Sequence, residues 1–409
     1  MARRGSLSSS SSGDSDLPDF QYKPLNHQEM QIRLFKIDTA SVTDRFMRGS
    51  LETFDLCSCP SFRAVSYEWG YNDEQLQLIV DGSYLGIKPN LMLFLVCYCE
   101  NIELLGPDLN DYLWVDQICV DQRSTFERNH QVKLMSRIYS AAEVVLSWLG
   151  PGCEDSLQYL ESDEFHEWCK SPALHLGHLP EPAEKFLSLS YWSRLWIQQE
   201  LVRANYVIFV TSTMFTFSEH IHEMKDNQRI KTEPALSRAL GDYLEYFSLY
   251  EAISSFSHKQ CSDLRDKVYG LLGMVIPSER VEVDYNLTVR EIFQMAVGSV
   301  VHAEAWLKTK LHHQDFSGPM IALGVGMGLD IDDVNEIYRS LYVPDLCYPR
   351  SEADNGSELT QRNLVHTSRS YPTMGPQTYP FNELKIGFSL ASNVRSRNSS
   401  SLIHNTLFV

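Results

Sequence analysis

The chain reads as an α/β protein, a mostly parallel sheet flanked by helices, with additional helices. Three adjacent stretches carry that reading. Asp111-Tyr-Leu-Trp-Val-Asp-Gln-Ile-Cys-Val-Asp-Gln122 is rich in Val, Ile and aromatics and bounded by polar residues, as a buried strand should be. Ser124-Thr-Phe-Glu127 has capping-box spacing and opens a helix through Gln131, Met135, Ile138, Tyr139 and Ala142. A second apolar run, Val144-Val-Leu-Ser-Trp148, closes at Leu149-Gly-Pro151. Strand, helix and strand in that order are the repeating unit of a parallel sheet.

The remaining elements follow in chain order. The first 20 residues are Ser-rich and poor in apolar groups, so a disordered tail is expected. Ile32-Arg-Leu-Phe-Lys-Ile37 reads as a first strand and Phe62-Arg-Ala-Val-Ser-Tyr67 as the next, ending on Glu68-Trp-Gly70. Residues 76–80 and 84–87 flank Asp81-Gly82, a pair that favours the left-handed turn of a hairpin. Pro89 and Asn90 open a helix carrying Leu91, Leu95 and Tyr98. Beyond Pro151 a mixed helical region is broken at Ser171-Pro172 and Leu179-Pro-Glu-Pro182. A helix over 191–202 places Trp192, Leu195, Trp196, Gln199 and Val202 on one face, with Glu200 within reach of Arg203. Tyr206-Val-Ile-Phe-Val210 is a further strand, and residues 235–256 read as one long helix. Asp263-Leu-Arg-Asp-Lys-Val-Tyr-Gly-Leu-Leu-Gly273 reads as a helix with Leu264, Val268, Leu271 and Leu272 on its core face. A further helix carries Ile292, Phe293, Ala296 and Val300. Residues 301–350 form an extension, and residues 351–409 are a low-complexity tail.

Composition narrows the function classes. The 409 residues are 43% hydrophobic, enough for one large or two ordinary domains with a real core. A net charge of -18 argues against general nucleic-acid binding and against an anionic membrane surface, both of which need basic surface. The sequence has no run of transmembrane length and no secretory segment. Nine cysteines without a repeating framework fit a reducing, cytoplasmic location. Cys57-Ser-Cys59 and Cys97-Tyr-Cys99 lack the two-residue gap and matching second half of structural zinc sites, so no metal and no cofactor are expected.

Several blocks in a fixed order carry a resemblance. They are Ala64-Val-Ser-Tyr-Glu-Trp-Gly70, Leu113-Trp-Val-Asp-Gln-Ile-Cys-Val-Asp-Gln122, Glu127 with Gln131, Met135, Ile138 and Tyr139, and Val145-Leu-Ser-Trp-Leu-Gly150. They continue with Tyr191-Trp-Ser-Arg194, Trp196, Gln199-Glu200, Asp263, Arg265-Asp266 and Tyr269-Gly-Leu-Leu-Gly273. Together they resemble the fungal heterokaryon incompatibility (HET) domain, over about residues 21–300, and Leu341-Tyr-Val-Pro-Asp345 resembles a segment common downstream of it. Gln117, Val120-Asp121 and Ile197 depart from the usual residues of those blocks. The resemblance implies a cell-death effector of self/non-self recognition that engages protein partners or associates with itself. It also implies a flavodoxin-like or TIR-like sheet and, through distant similarity to TIR domains, an alternative as an NAD glycohydrolase.

Ligands of a doubly wound sheet bind outside the carboxyl ends of its strands. Those ends carry Tyr67 to Gly70, Asp116 to Gln122 and Trp148 to Pro151. Asp116, set into an apolar run, needs a partner or a ligand. Glu68, Asp116 and Glu200 are therefore the candidate catalytic carboxylates, and Tyr67, Trp69, Gln122 and Gln199 the candidate ligand contacts. Arg194, Asp263, Arg265 and Asp266 read as structural or ion-pairing residues, Asp116 itself being a possible helix cap or partner of Arg194 or Arg265. No phosphate-cradling glycine loop and no Ser/His/Asp order is present.

Overall fold

In the computed structural model, β3 (Arg63–Ser66) lies between β6 (Tyr112–Trp114) and β7 (Val144–Trp148) and pairs in parallel with both. Every residue of β3 and β7 is buried, as expected of strands covered on both faces. β8 (Val207–Val210) joins β7 in parallel, completing a four-stranded parallel centre in the order β6-β3-β7-β8. The chain leaves β3 toward one neighbour and returns to the other. That reversal opens a crevice at the carboxyl ends of the strands. The residues described are 17–70, 73–101, 112–171, 179–227, 230, 233–241, 246–307 and 317–341. Residues 1–16 of the tail expected at 1–20, the tail at 351–409 and residues 342–345 of the downstream segment lie outside them, whereas residues 17–20 are ordered rather than disordered because Asp19 bridges Tyr84 on β5 (Ser83–Ile87).

Around that centre the pairing changes. β1 (Gln31–Asp38) runs antiparallel to β6 and to β2 (Arg48–Asp55), β2 pairs in parallel with β4 (Leu76–Val80), and β4 is antiparallel to β5 (Ser83–Ile87). β9 (Phe215–Phe217) is antiparallel to β8. Four of the eight pairings described are antiparallel, so the sheet is mixed rather than mostly parallel. At one edge a short link explains it. β4 and β5 are joined by Asp81 and Gly82 alone, both at positive φ, and such a turn can only join antiparallel neighbours.

The expected strands at 32–37, 62–67, 76–87, 144–148 and 206–210 all form, as do helices α1 (Pro89–Asn101) and α3 (Thr125–Ala141). The run at 111–122 is divided. It supplies only β6 before a single turn, α2 (Asp116–Cys119), takes over at the half-buried Asp116. The 191–202 helix is also two pieces, a 3-10 turn at Ser190–Ser193 and a helix at Trp196–Val202, because Leu195 N–H is taken by the carbonyl of Gln260. The long helix expected over 235–256 is interrupted: one helix is Pro234–Ala239 and the next, Leu249–Phe256, opens on its own capping box at Ser248 and Glu251. Residues 263–273 hold one helical turn, Asp266–Tyr269, and Leu264 is exposed. Among the described residues no helix is long and apolar enough to cross a membrane.

One buried ion pair fixes α3 to the sheet. Ser124 caps the Glu127 N–H at 3.2 Å, but Glu127 does not reach back to close the box. Its carboxylate instead receives Arg33 through two bonds, at 2.5 and 2.8 Å, and the Asp121 N–H at 2.7 Å. Arg33 also donates to the carbonyls of Cys119 and Lys23. Both side chains are at most 5% exposed. Breaking a buried pair leaves the survivor desolvated and unpaired, which costs about 3–5 kcal/mol. Glu127→Ala should lower unfolding free energy in urea by that amount, and the double variant Arg33→Met/Glu127→Leu by clearly less than the sum of the singles. Additive losses would show that the two side chains act independently.

Candidate functional site

The crevice is a cleft of about 650 Å³. Its rim is made by the exits of β3 and β7, where Gly70 (φ +81°) and Gly150 (φ +78°) hold left-handed backbone that a side chain would strain. Its walls come from the start of α2, one face of α3, the start of the Trp196–Val202 helix, the Gln260 to Asp266 segment and Tyr285. Trp69, Trp114, Trp148 and Trp196 all line it. Aromatic walls with a few converging polar groups are the usual make-up of a small-ligand pocket.

Asp116 stands on the cleft wall, held by neutral donors. Tyr67 Oη donates to one oxygen at 3.0 Å, Trp69 Nε1 to the other at 2.9 Å, and the Gln117 N–H adds a third bond at 2.7 Å. Burial pushes its carboxyl above the ordinary range, against the pull of Arg194 and the hydrogen bonds from Trp69 and Tyr67. Gln122 Nε2 donates to the Asp116 carbonyl at 2.9 Å and so ties down the loop beyond α2. Arg194 donates to the Tyr67 carbonyl rather than to a carboxylate. Glu68 lines the cleft and accepts from Ser190 Oγ at 2.8 Å.

The opposite wall handles its acids differently. Arg265 grips Asp263 with bonds of 2.8 and 2.6 Å, and although burial pushes the other way, those bonds hold Asp263 below the usual carboxylate range. Asp266 accepts from Tyr285 Oη at 2.5 Å and Trp196 Nε1 at 3.0 Å, and burial pushes it up to about 6. The neighbouring Cys261 thiol is pushed up to about 11 by burial and by Asp266, so it is protonated and a poor nucleophile at neutral pH. Among the described residues no group of three or more His, Cys, Asp or Glu is placed to hold a metal ion.

Residues 62–200 match the family model described as Heterokaryon incompatibility protein (HET). Over that segment the chain is similar to the heterokaryon incompatibility domain. Heterokaryon incompatibility protein 6, OR allele, of Neurospora crassa is 22% identical over 363 residues, covering 68% of this chain and 52% of its own. The chain thus spans about half the length of that curated relative. No solved structure matches.

Of the residues expected to matter, the matched segment and the segment after it bring Glu68, Trp69, Asp116, Gln122, Arg194, Asp263 and Asp266 to one cleft. Tyr67 lies behind Asp116, and Arg265 reaches Asp263 and the Tyr285 carbonyl. Glu200 and Gln199 are not among the cleft-lining residues. Glu200 is buried beneath the rim, accepting from Ser66 Oγ at 2.5 Å, and Tyr191 Oη in turn bonds Ser66 at 2.7 Å. Gln199 accepts the Gly273 N–H at 3.1 Å, and a Cβ on Gly273 would stand 2.3 Å from the same oxygen, which is why the chain needs glycine there. Sequence reasoning missed Asn90, which bridges the rim by donating to the Glu68 carbonyl at 2.7 Å and accepting from Trp148 Nε1 at 2.9 Å. Its only signal was a polar residue beside Pro89 at a helix start. It missed Arg128, Gln260 and Tyr285 as well, and nothing in their local pattern marks them.

Burial pushes Glu200 up to about 7, against the pull of Arg194 and the Ser66 hydrogen bond. Because its folded value lies above the ordinary 4.5, the native state holds a proton that the unfolded chain releases, and stability falls as pH rises from about 4.5 through 7. At about 1.4 kcal/mol per pH unit the decline amounts to about 3 kcal/mol. Glu200→Gln should flatten it. Urea unfolding at pH 5 and pH 8 checks this, and an equal pH 5 to 8 drop in both proteins would refute it.

Proposed function

We propose that this protein is an effector of fungal incompatibility, acting in self/non-self recognition and triggering programmed cell death from the cytoplasm through protein partners or self-association. The observation that carries the proposal is convergence. The match at 62–200 supplies Glu68, Trp69, Gly70, Asp116, Gln122, Trp148, Gly150 and Arg194, and all of them line one cleft. A domain that needed only a stable core has no reason to gather charged and aromatic groups around an open space. The relative named for heterokaryon incompatibility supports the same reading. The order β6-β3-β7-β8, which is 2-1-3-4 when counted along the chain, supports a flavodoxin-like or TIR-like centre, with the cleft at its switch point.

In this reading Asp116 is the group through which the cleft acts, with Tyr67 and Trp69 setting its geometry and Arg194 its field. Glu68 and Gln122 shape the mouth, while Glu200 and Gln199 support the rim from below. Neither the matched family nor the matched relative carries a glycohydrolase assignment, and cleavage of NAD is not part of the proposal.

Expression in a filamentous fungus, scored by growth arrest and vital-dye uptake, tests it. Asp116→Asn and Arg194→Gln should each abolish killing while protein level and circular-dichroism melting stay near those of the parent. Lys170→Ala, an exposed change on another face, should kill normally. Killing that survives both cleft substitutions would separate the cleft from the activity.

A further inference from the structure

The inference concerns what the cleft holds and rests on the role just proposed for it. Between β6 and α3 the cleft wall is formed by Trp114, Arg128, Gln131, Val132 and Met135. Trp114 is 0% exposed and Gln131 1%, yet Trp114 Nε1 and Gln131 Oε1 have no hydrogen-bond partner among the described residues. The orientation of the Gln131 amide is fixed by its other end: Nε2 donates to the Gln31 carbonyl at 2.8 Å, a group that can only accept. One orphan is therefore an N–H donor and the other a C=O acceptor. A buried polar atom left unmet costs about 1–3 kcal/mol, and native proteins leave few of them. Two of opposite kind on the wall of one cleft point to a ligand that answers both.

The complementary group has a carbonyl or ring-nitrogen acceptor for Trp114 and an N–H donor for Gln131, as on the edge of a lactam or aminopyrimidine ring. The partly exposed indoles of Trp69 and Trp196 offer flat faces for such a ring. Two guanidiniums remain under-used in the same cleft. Among the described residues Arg194 donates to a backbone carbonyl while its charge acts on Asp116 and Glu200, and Arg128 lies over the Tyr285 ring at 4.2 Å with its nearest carboxylate oxygen, on Asp263, at 4.0 Å and already gripped by Arg265. Asp116 and Asp266 take their side-chain hydrogen bonds from neutral donors, so neither forms a direct ion pair with those arginines. A chain of net charge -18 disfavours a polyanion, which leaves a small anion.

We propose that the cleft binds a nucleobase-like heterocycle joined to an anionic group, the simplest form being a free nucleoside monophosphate. The ring edge meets Trp114 and Gln131, and the phosphate meets Arg128 and Arg194. Titration calorimetry of the intact chain with AMP, GMP, CMP and UMP, and with the matching nucleosides, tests this alongside tryptophan fluorescence. At least one monophosphate should bind and quench, and its nucleoside should bind more weakly. Trp114→Phe keeps one aromatic ring and removes the pyrrole edge with its orphaned N–H, and with the fold verified by circular dichroism it should weaken binding about tenfold. Arg194→Gln should weaken the monophosphate and leave the nucleoside unchanged. No heat and no quenching from any of these compounds at millimolar concentration would overturn the proposal. Binding indifferent to both substitutions would overturn it too, by placing the ligand elsewhere. Failure here leaves the killing assay with Asp116→Asn untouched, and a nucleotide-binding protein whose cleft variants still kill would defeat the proposed function alone.

Discussion

The parallel pairing of β3 with β6 on one side and β7 on the other determines where everything else must go. Four consecutive residues leave β3 into four different tasks. Ser66 bonds Glu200, Tyr67 bonds Asp116 and offers its carbonyl to Arg194, Glu68 meets Ser190, and Trp69 closes on Asp116. Because side chains alternate across a strand and the register with β7 is fixed from Arg63 to Ser66, these tasks cannot be reassigned by small shifts. A slip of one residue would exchange Ser66 and Tyr67 between the two faces and separate Asp116 from the groups that hold it.

The cleft walls show two ways of keeping a carboxylate out of bulk water. Asp263 is matched by a bidentate guanidinium, whose planar fork suits a carboxylate, and its charge is neutralised locally. Asp116 and Asp266 are given only neutral donors, so their charge remains available to whatever enters. The first arrangement favours rigidity. The second leaves an electrostatic field across an aromatic-walled space.

Much of the parallel centre was legible because its strands are continuous apolar runs and its helices have caps, both of which are local signals. Ser124, Asp81-Gly82 and Pro89 each act within a few residues of themselves. β2 was not legible: Arg48-Gly-Ser-Leu-Glu-Thr-Phe-Asp55 is half-exposed and takes its strand conformation from pairing with β1 along its whole length. Apart from the β4–β5 hairpin marked by Asp81-Gly82, the antiparallel pairings of β1 with β2 and β6 and of β8 with β9 were missed, since register between such segments leaves no mark on either. Asp116, Glu68 and Trp69 could be singled out as polar or aromatic residues at apolar strand ends. Glu200 could not be placed correctly, because helix spacing pointed to Arg203 whereas the actual partner, Ser66, is 134 residues away. Asn90 and Tyr285 become cleft residues only through tertiary contacts.

The matched segment begins at residue 62, but the sheet does not. β1 lies against β6, and Arg33 on it is the buried counter-charge of Glu127 within the matched region. A polypeptide beginning at residue 62 would therefore expose an unpaired edge of β6 and strand a desolvated carboxylate beneath α3. The unit that folds is larger than the unit that sequence comparison delimits, and domain exchange between relatives would have to carry the upstream strands along with it.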